Sequence, residues 1–433
     1  MSQFYTENFS VLERRWPNIA HCISTADDSS LAIDLVEGLE TTLSVNGIQL
    51  TSRHDRKREA QIQADSISKK DHEIHLYGVG LGELIELLRT RSELKKLHVH
   101  IMNEALFKLI LNVLLHTSWL NDPRIHLHLA ADHKELQFPF FALPSELILA
   151  SQLNAKLRDR VMAEVEVQYL NKRFQPDNPE FVERLNSNKS FIESDLDVGV
   201  LFGKNPNQEA FIFASGPTLA THLDQIKQVY LEHNRPVFIA LDTTIRSLTA
   251  HGIQPDYVVS VDKEIGAGHF PPSYDPSSKL IYFPLVKTEL LQYWKGERYC
   301  AYSKSAIYDA LRSRLLHSVL YTNGSVIHPA TDFAVQLGVK QITFFGADFG
   351  FPFDQTHTGW PNDVLCAPRS SSNHWVLNGK GEQIKTLLNF RGYLCSLERY
   401  IAACPDVKFY NTSRDGAFIE GTVFHPEFVN ESL

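Results

Sequence analysis

The chain has 433 residues, of which 43% are hydrophobic and 21% are charged, and its formal net charge at pH 7 is −9. A chain of this length and balance is expected to form about two to four domains with large apolar cores. The negative charge argues against a nucleic-acid-binding protein, because neutralising phosphates needs a basic surface that the chain lacks overall.

Cysteine usage and the absence of targeting signals indicate a reducing compartment. The five cysteines are scattered and form no Cys-x-x-Cys pair, which argues against a disulfide framework and a structural zinc site. The first residues lack a basic region followed by an apolar core, and the most apolar later stretch, 101–115, is interrupted by polar side chains. We therefore expect a cytoplasmic protein with no membrane span.

Strand and helix patterns alternate in the N-terminal part of the chain. Asn46-Gly47, between two short apolar runs, predicts a hairpin. The pattern then predicts a small Rossmann-like α/β domain with a parallel sheet. Its predicted elements are, in order, a strand at 73–77, a helix at 81–88, a strand at 97–101, a helix at 105–114 and a strand at 125–129.

A domain boundary is expected after the first third of the chain. An amphipathic helix is predicted over 145–174, and the proline-containing segment 175–179 ends it. We place the boundary between 185 and 186. Residues 1–185 then form an accessory domain, and residues 186–433 form a larger domain with a C-terminal helical segment.

The second domain is predicted to be α/β and doubly wound. Its continuous apolar runs are typical of a parallel sheet that is covered on both faces. The predicted strands are 210–214, 237–241, 257–261, 280–283, 298–302, 318–321 and 341–345. A helix at 382–403 and a last strand at 407–410 follow.

The junction after the first strand of this domain has the composition of a ligand-binding turn. In Ser215-Gly216-Pro217-Thr218, Gly216 allows a sharp turn and Pro217 suits the first position of a helix, whose free N–H groups can receive a phosphate. The turn lacks the second and third glycines of the dinucleotide fingerprint and the lysine of the P-loop. Neither an NAD enzyme nor a P-loop NTPase is therefore the natural interpretation.

Further polar residues follow other strands of the predicted sheet. Thr322-Asn323-Gly324-Ser325 precedes a predicted helix and offers a second turn for an anion or a ribose. Asp242 and Asp262 end two strands, and Gly346 and Asp348 follow a third. Because ligands of open α/β sheets bind at the carboxyl ends of the strands, we expect these residues to converge on one crevice.

Two histidines are candidates for proton transfer. His357 lies in the loop that leaves the sheet after Asp348, and imidazole is the side chain best able to exchange a proton near neutral pH. His374 is the second candidate, and Asp348 is a carboxylate alternative.

Two N-terminal motifs are interpreted as structural. Gly78-Val79-Gly80-Leu81-Gly82 has the wrong glycine spacing for a dinucleotide fingerprint, so it is predicted to be a plain turn, with a ligand site as the alternative. His98 and His100 share one strand face, and His126 and His128 share a face of the strand expected beside it, so four imidazoles could gather as metal ligands. Alternating histidines need no metal, and no cysteine or carboxylate joins the pattern. We therefore predict no metal site.

Six motifs of the second domain occur in a characteristic order. They are Phe-Ala-Ser-Gly-Pro-Thr-Leu (213–219), Ala-Leu-Asp-Thr-Thr (240–244), Pro-Asp-Tyr-Val-Val-Ser-Val-Asp (255–262), Asn-Gly-Ser-Val (323–326), Phe-Gly-Ala-Asp-Phe (345–349) and Thr-His-Thr-Gly (356–359). Over roughly residues 195–425, this series resembles the motility accessory factor family of flagellin glycosyltransferases. It resembles, more distantly, bacterial sialyltransferases that use CMP-sialic acid and archaeal pterin pyrophosphokinases.

The resemblance implies a sialyltransferase-type fold and a glycosyltransferase activity. The reaction would transfer a nonulosonic acid, pseudaminic or legionaminic, from its CMP-activated form to serine or threonine hydroxyls of flagellin in the cytoplasm. No cofactor beyond the CMP-sugar substrate is implied. The positions carried over are Gly216, Pro217 and Thr218 around the nucleotide, Asp242 near the cytidine or sugar, 322–325 along the CMP, and Gly346 and Asp348 at its base.

The chain departs from the sialyltransferase pattern at two points. Phe351 and Phe353 stand where tyrosines of the sialyltransferases contact the leaving phosphate. The catalytic histidine of those enzymes lies further along the chain, before the late helix, which keeps His374 beside His357 as a candidate.

Two other functions remain as alternatives. In a pterin pyrophosphokinase, Asp242, Asp262 and Asp348 would hold magnesium through water. In a flagellin-binding accessory protein without catalysis, the N-terminal domain would be the interaction surface.

Overall fold

The chain is a mixed α/β protein that divides into two compact units, Met1–Met162 and Ala163–Leu433. The structure is a computed structural model and describes residues 2–133, 135–173, 176–206, 208–355, 357–360 and 374–429. None of the helices in these ranges combines the length and apolar character that crossing a bilayer requires.

The first unit begins with two helices and a small antiparallel sheet, and then alternates strands with helices. Its elements are α1 (Gln3–Arg15), α2 (Pro17–Thr25), β1 (Ile33–Val36), β2 (Thr42–Val45), β3 (Ile48–Gln49), α3 (Arg56–Asp65), β4 (Glu73–Tyr77), α4 (Glu83–Leu88), β5 (Lys96–Ile101), α5 (Glu104–Val113), α6 (Thr117–Leu120), β6 (Ile125–Leu129), β7 (Phe140–Ala142), α7 (Pro144–Ile148) and α8 (Ala155–Arg173), which continues into the second unit.

A four-stranded parallel sheet forms the centre of the first unit. The strand order is β6-β5-β4-β7, and every neighbouring pair is parallel. One face of the sheet carries apolar residues such as Ile74, Leu97 and Leu127, which lie in the same buried core as residues of α1, α2, α4 and α5. The predicted Rossmann-like character and the Asn46-Gly47 hairpin, between β2 and β3, are both confirmed. β7 was not predicted.

The helix predicted over 145–174 is two helices in the structure. α7 ends at Ile148, and α8 begins at Ala155 after a short 3₁₀ turn. The break has a physical cause, because the N–H of Ser151 and the side-chain amide of Asn154 both donate to the carbonyl of Met102. These bonds hold the segment away from a continuous helix.

The division between the units lies at 162/163, whereas the sequence placed the boundary at 185/186. The helix Pro179–Ser187 carries Phe181, which is 4% exposed and lies in the main core of the second unit. Burial of this ring joins the helix to the second unit, although the proline-containing segment precedes it.

The second unit contains the larger sheet. Its elements are α9 (Pro179–Ser187), α10 (Lys189–Ser194), β8 (Leu196–Asp197), β9 (Glu209–Phe213), α11 (Leu223–Tyr230), β10 (Val237–Leu241), α12 (Ile245–Ala250), β11 (Tyr257–Ser260), β12 (Lys279–Tyr282), α13 (Thr288–Tyr293), β13 (Arg298–Cys300), α14 (Asp309–Arg312), α15 (Ile327–Leu337), β14 (Gln341–Phe345), β15 (His374–Leu377), β16 (Gln383–Thr386), α16 (Leu388–Ala402), β17 (Lys408–Asn411) and β18 (Val423–Phe424).

Nine parallel strands form one sheet in the order β18-β17-β14-β9-β10-β11-β12-β13-β8. From β9 the chain moves through β10, β11 and β12 toward one edge, and from β14 it moves through β17 to β18 toward the other. The direction of winding therefore reverses between β9 and β14, which are neighbours. Ligands of open α/β sheets bind at the carboxyl ends of strands at such a switch point. The predicted doubly wound class is confirmed.

Two local predictions differ from the structure. Residues 318–321 do not form a strand and pair only through one bridge between Tyr302 and Val319. The predicted helix over 382–403 begins at Leu388, because residues 383–386 pair with β15 as an antiparallel hairpin.

Candidate functional site

The turns that follow β9 and β14 are joined by one buried side-chain contact. Asp348 accepts a hydrogen bond from the N–H of Thr218 at 2.9 Å and one from the Thr218 hydroxyl at 2.5 Å. Both residues are almost fully buried. The carboxylate thus uses both oxygens to fix the start of the 3₁₀ helix Pro217–His222 against the end of β14.

The close approach of the two turns explains their glycines. A Cβ on Gly216 would lie 2.3 Å from the carbonyl oxygen of Gly346 and 2.5 Å from Oδ2 of Asp348. Gly346 has a positive φ of 67°, and a Cβ there would lie 2.3 Å from the carbonyl oxygen of Ala214. Any side chain at either position would push the turns apart.

The backbone amides of the first turn have partners inside the protein. The N–H of Gly216 donates to the Gly346 carbonyl, the N–H of Thr218 to Asp348, and the N–H of Leu219 to the Gly216 carbonyl. Pro217 has no N–H. The sequence predicted that these amides receive a phosphate, but in the structure the carboxylate of Asp348 takes the Thr218 amide. What the turn offers instead is side-chain hydroxyls.

Asp242 forms a second buried contact at the next strand end. Its carboxylate accepts from the Thr243 N–H at 2.8 Å and from the Ser260 hydroxyl at 2.7 Å, which connects the ends of β10 and β11. Burial, with a smaller contribution from the nearby Asp262, raises the pKa of Asp242 to about 7. Burial likewise raises the pKa of Asp348 to about 6. Both acids therefore support neighbouring turns from within the protein.

The segment around His357 lies against the first turn. The N–H of Thr358 donates to the carbonyl of Ser215, and its hydroxyl donates to the carbonyl of Gly216, both at 2.8 Å. The Thr243 hydroxyl donates to the Ser215 hydroxyl at 3.0 Å. His357, one residue before Thr358, is half-buried, and burial lowers its pKa to about 4. Its imidazole is therefore neutral at pH 7.

A cavity of about 500 Å³ adjoins this segment. Arg246, Ser247, His251, Thr358 and Gly359 contribute to its wall. The guanidinium of Arg246 lies 4.4 Å from the ring centre of Trp360, and the Ser247 hydroxyl donates to the carbonyl of Thr358. The size is typical of small-molecule sites, and the wall supplies one cation.

The second predicted turn, Thr322–Ser325, contacts α16 in the described structure. The side-chain amide of Asn323 donates to the Ser396 hydroxyl, and Gly324, with φ of 85°, lies against the ring of Tyr393. The turn precedes α15, which runs into β14. Since helices of a parallel α/β sheet begin at the carboxyl edge of its strands, α15 directs its positive N-terminal end to the same edge as the Thr218 turn.

The remaining candidates lie further from the first turn. Asp262 is exposed, and its carboxylate accepts from the N–H of Glu264 within its own loop. His374 begins β15 and pairs with Thr386 in the hairpin. The hairpin is connected to the loop after Asp348, because the N–H of Phe351 donates to the Lys385 carbonyl at 2.8 Å. His374 is thus near that loop.

Sequence reasoning missed Thr243, Thr358 and Arg246 as site residues. The two threonines lie inside motifs that were recognised, one residue after Asp242 and one after His357, so their positions carried a signal. Arg246 carried none, because only folding brings α12 beside Trp360.

The glycine-rich turn of the first unit, 78–82, is occupied by a carboxylate of the same unit. Glu146 accepts hydrogen bonds from the N–H groups of Val79 and Gly80 and is 2% exposed. Burial raises its pKa to about 7. In dinucleotide-binding folds, a phosphate occupies the corresponding position. The geometry agrees with the prediction of a structural turn.

One family model matches residues within the second unit. Residues 181–354 match the family model described as 6-hydroxymethylpterin diphosphokinase MptE-like. This segment is similar to that family. It contains β9 to β14, the acids Asp242, Asp262 and Asp348, and the turn 322–325. The resemblance to a pterin-kinase-like core, which the motifs suggested, is therefore confirmed.

The chain is also similar to a solved MAf glycosyltransferase structure from Magnetospirillum magneticum AMB-1. The sequence identity is 15%, the TM-score is 0.46, and the match covers 100% of this chain and 75% of the other. A likeness this low does not transfer the activity of that protein to this chain. No curated protein matches the chain significantly.

The contact between Thr218 and Asp348 leads to a stability prediction. Thr218→Val keeps the shape of the side chain but leaves one buried oxygen of Asp348 without its donor. We expect the free energy of unfolding to fall by about 1–3 kcal/mol, the cost of an unsatisfied buried acceptor. Chemical denaturation measures this change in the free energy of unfolding. Thr221→Val, an exposed neighbour on the same 3₁₀ helix that loses only its bond to the Thr218 carbonyl, is the matched control. An equal effect of the two substitutions would contradict the assigned role.

The raised pKa of Asp242 leads to a pH prediction. The unfolded chain releases the aspartate proton near 3.8, whereas the folded chain retains it to about pH 7. Because the folded state binds more protons in this window, the free energy of unfolding falls as the pH rises through it. Asp242→Asn removes this contribution.

We therefore expect the wild type to lose stability relative to Asp242→Asn as the pH rises from about 4 to 7, measured by urea unfolding at a series of pH values. The exposed Asp224→Asn should follow the wild-type profile. A constant difference between wild type and Asp242→Asn at all pH values would show that the carboxyl does not titrate in this range.

Proposed function

We propose that the second unit is a glycosyltransferase that moves a nonulosonic acid, pseudaminic or legionaminic, from its CMP-activated form to serine or threonine hydroxyls of flagellin. The motif series supports the choice of donor and acceptor. The observation that carries the proposal is that Thr358, the residue after His357, bonds to the Ser215 turn at the switch point between β9 and β14, while burial lowers the pKa of His357 to about 4.

The chemistry requires stabilisation of two opposite charges. Cleaving the bond to CMP builds positive charge on the sugar and negative charge on the leaving phosphate. The N-terminal end of α15 supplies a positive dipole for the phosphate, and the Ser215 hydroxyl, which accepts from Thr243 and keeps its own proton, supplies a hydrogen-bond donor. The amides of the Thr218 turn do not take part, because they are bonded internally.

His357 is proposed as the base that removes the proton of the acceptor hydroxyl. Its low pKa keeps it unprotonated before the donor binds. The negative phosphate of the bound CMP-sugar then raises this pKa, because a nearby opposite charge favours the protonated form. Donor binding would thus make His357 a stronger base at the stage when the acceptor must be deprotonated.

The match to the MptE-like family favours a second candidate function, pyrophosphoryl transfer from ATP to a hydroxymethylpterin. For that function Asp242 and Asp348 would hold magnesium. Their carboxylates, however, are 2% and 3% exposed and already accept hydrogen bonds on both oxygens. A magnesium ion would have to displace these donors. Incubation with ATP, magnesium and 6-hydroxymethylpterin, with measurement of AMP, tests this function directly.

The proposed role of His357 predicts a separation of binding from catalysis. His357→Ala should reduce the rate of sugar transfer by about a hundredfold to ten-thousandfold, the usual contribution of a general base. Its affinity for CMP should remain within about threefold of wild type, since the base contacts the acceptor. The intact mass of flagellin incubated with CMP-nonulosonate reports transfer, and calorimetry reports CMP binding.

His233→Ala provides the matched control, because His233 is exposed and precedes β10 at the opposite edge of the sheet. It should transfer at the wild-type rate. Full activity of His357→Ala together with inactivity of His374→Ala would assign the base to His374. If wild-type protein adds no mass to flagellin but forms AMP with the pterin, the pyrophosphokinase function replaces the proposal.

A further inference from the structure

One face of the first unit's parallel sheet carries a cluster of histidines. β4, β5 and β6 are in register, so that His75, His98 and His126 form one row across the three strands. Tyr77, His100 and His128 form the next row on the same face. The intervening residues point to the apolar core on the other face, as the alternation of a strand requires.

The rings of the cluster are in direct contact. The His75 and His98 rings are stacked with centres 4.6 Å apart, and the His100 and His128 rings are stacked at 5.0 Å. His133, from the segment after β6, lies edge-on to both His100 and His128 at 5.0 Å. Six imidazoles therefore share one patch of the sheet.

A carboxylate joins the cluster, contrary to the expectation from the sequence. Oε1 of Glu73 lies 2.8 Å from Nε2 of His98. One ligand atom from each of Glu73, His75 and His98 lies within 4.8 Å of the others. Glu73 and His75 were overlooked because only the register of β4 against β5 brings them to His98.

We propose that Glu73, His75 and His98 bind a divalent transition-metal ion of the zinc class. Imidazole and carboxylate are ligands that Zn²⁺ accepts at about 2.0–2.1 Å, which puts neighbouring ligand atoms of a tetrahedral site about 3.3 Å apart. The ligand atoms of the three groups lie within 4.8 Å of one another, so metal binding requires side-chain rotations that bring them closer. The site lacks thiolates, so it does not favour ions that need soft ligands.

The surrounding imidazoles provide the outer contacts that a metal site needs. Nδ1 of His98 lies 2.9 Å from Nε2 of His128, and Nδ1 of His75 lies 3.1 Å from Nε2 of His100. When the metal replaces the shared proton between His98 and Glu73, the neutral His98 keeps its proton on Nδ1 and donates it to His128. Such partners fix the orientation of a metal-binding imidazole.

The second row of the cluster contains a buried polar atom without a partner in the part of the chain that the structure describes. His100 is fully buried, and its Nδ1 has no hydrogen-bond partner among the described residues. Because Nε2 of His100 accepts the Nδ1 proton of a metal-bound His75, Nδ1 of His100 carries a proton, and its burial without a partner is costly.

Zinc binding to the tag-free full chain, stripped of metal by chelation, tests the proposal. Equilibrium dialysis against Zn²⁺ with metal analysis should find one ion per chain, and Mg²⁺ should not compete. Glu73→Gln should weaken zinc binding at least about tenfold, and His98→Phe, which keeps the ring stacking, about a hundredfold. His54→Gln, an exposed histidine of the same unit, is the matched control and should bind as wild type does.

The outcomes separate the proposal from its alternatives. The proposal is overturned if the wild type binds no zinc in the dialysis. It is also overturned if Glu73→Gln binds zinc with the same affinity as the wild type. Glu73 is half-exposed, so this variant is expected to fold even if His98→Phe does not. An increase in melting temperature with Zn²⁺ in wild type and His54→Gln, but not in Glu73→Gln, would add support, because a ligand stabilises the state that binds it.

Discussion

The hydrogen bonds between Asp348 and Thr218 are the contact on which the geometry of the second unit's site depends. They connect the ends of β9 and β14, the two strands between which the winding of the sheet reverses. Gly216 and Gly346 are required at this contact because their backbones approach too closely for a Cβ. The loop that carries His357 is then held by bonds from Thr358 to the same turn. The carboxylate of Asp348 thus joins the turns after β9 and β14 at the switch point, and Thr358 attaches the His357 segment to the first of them.

In both units, a carboxylate of the same unit accepts hydrogen bonds from the turn after a central strand. Glu146 accepts from the amides after β4, and Asp348 accepts from the Thr218 amide after β9. In each case the protein itself occupies donors that a related fold offers to a phosphate. In the second unit, ligand recognition is consequently assigned to hydroxyls and to the N-terminal end of α15.

The sequence predicted the fold class because its signals are local. Apolar runs of strand length alternating with helical patterns define a parallel sheet, and Asn46-Gly47 defines a hairpin. Strand-end residues such as Thr218, Asp242 and Asp348 could be assigned to one edge, because parallel strands end at the same edge. These inferences depend on residues close together in the chain.

The remaining features depend on contacts between distant residues. No periodicity shows that Asp348 would bond to Thr218, or that Glu146 would reach Val79. The histidine cluster was recognised in part, since the alternation within β5 and β6 is visible. Its fifth histidine and its carboxylate come from β4, and register decides their neighbours. The compact units divide earlier in the chain than the predicted boundary, and burial of Phe181, rather than the prolines before it, decides where its helix belongs.

The most direct test of the account is a crystal structure of the full chain with bound CMP. The account predicts that the phosphate lies at the carboxyl edge of the nine-stranded sheet, between β9 and β14, within hydrogen-bonding distance of the turn 322–325 or of the Ser215 and Thr243 hydroxyls. The contact between Thr218 and Asp348 should remain intact. CMP bound at the first unit, or a phosphate that displaces Asp348 from the Thr218 amide, would contradict it.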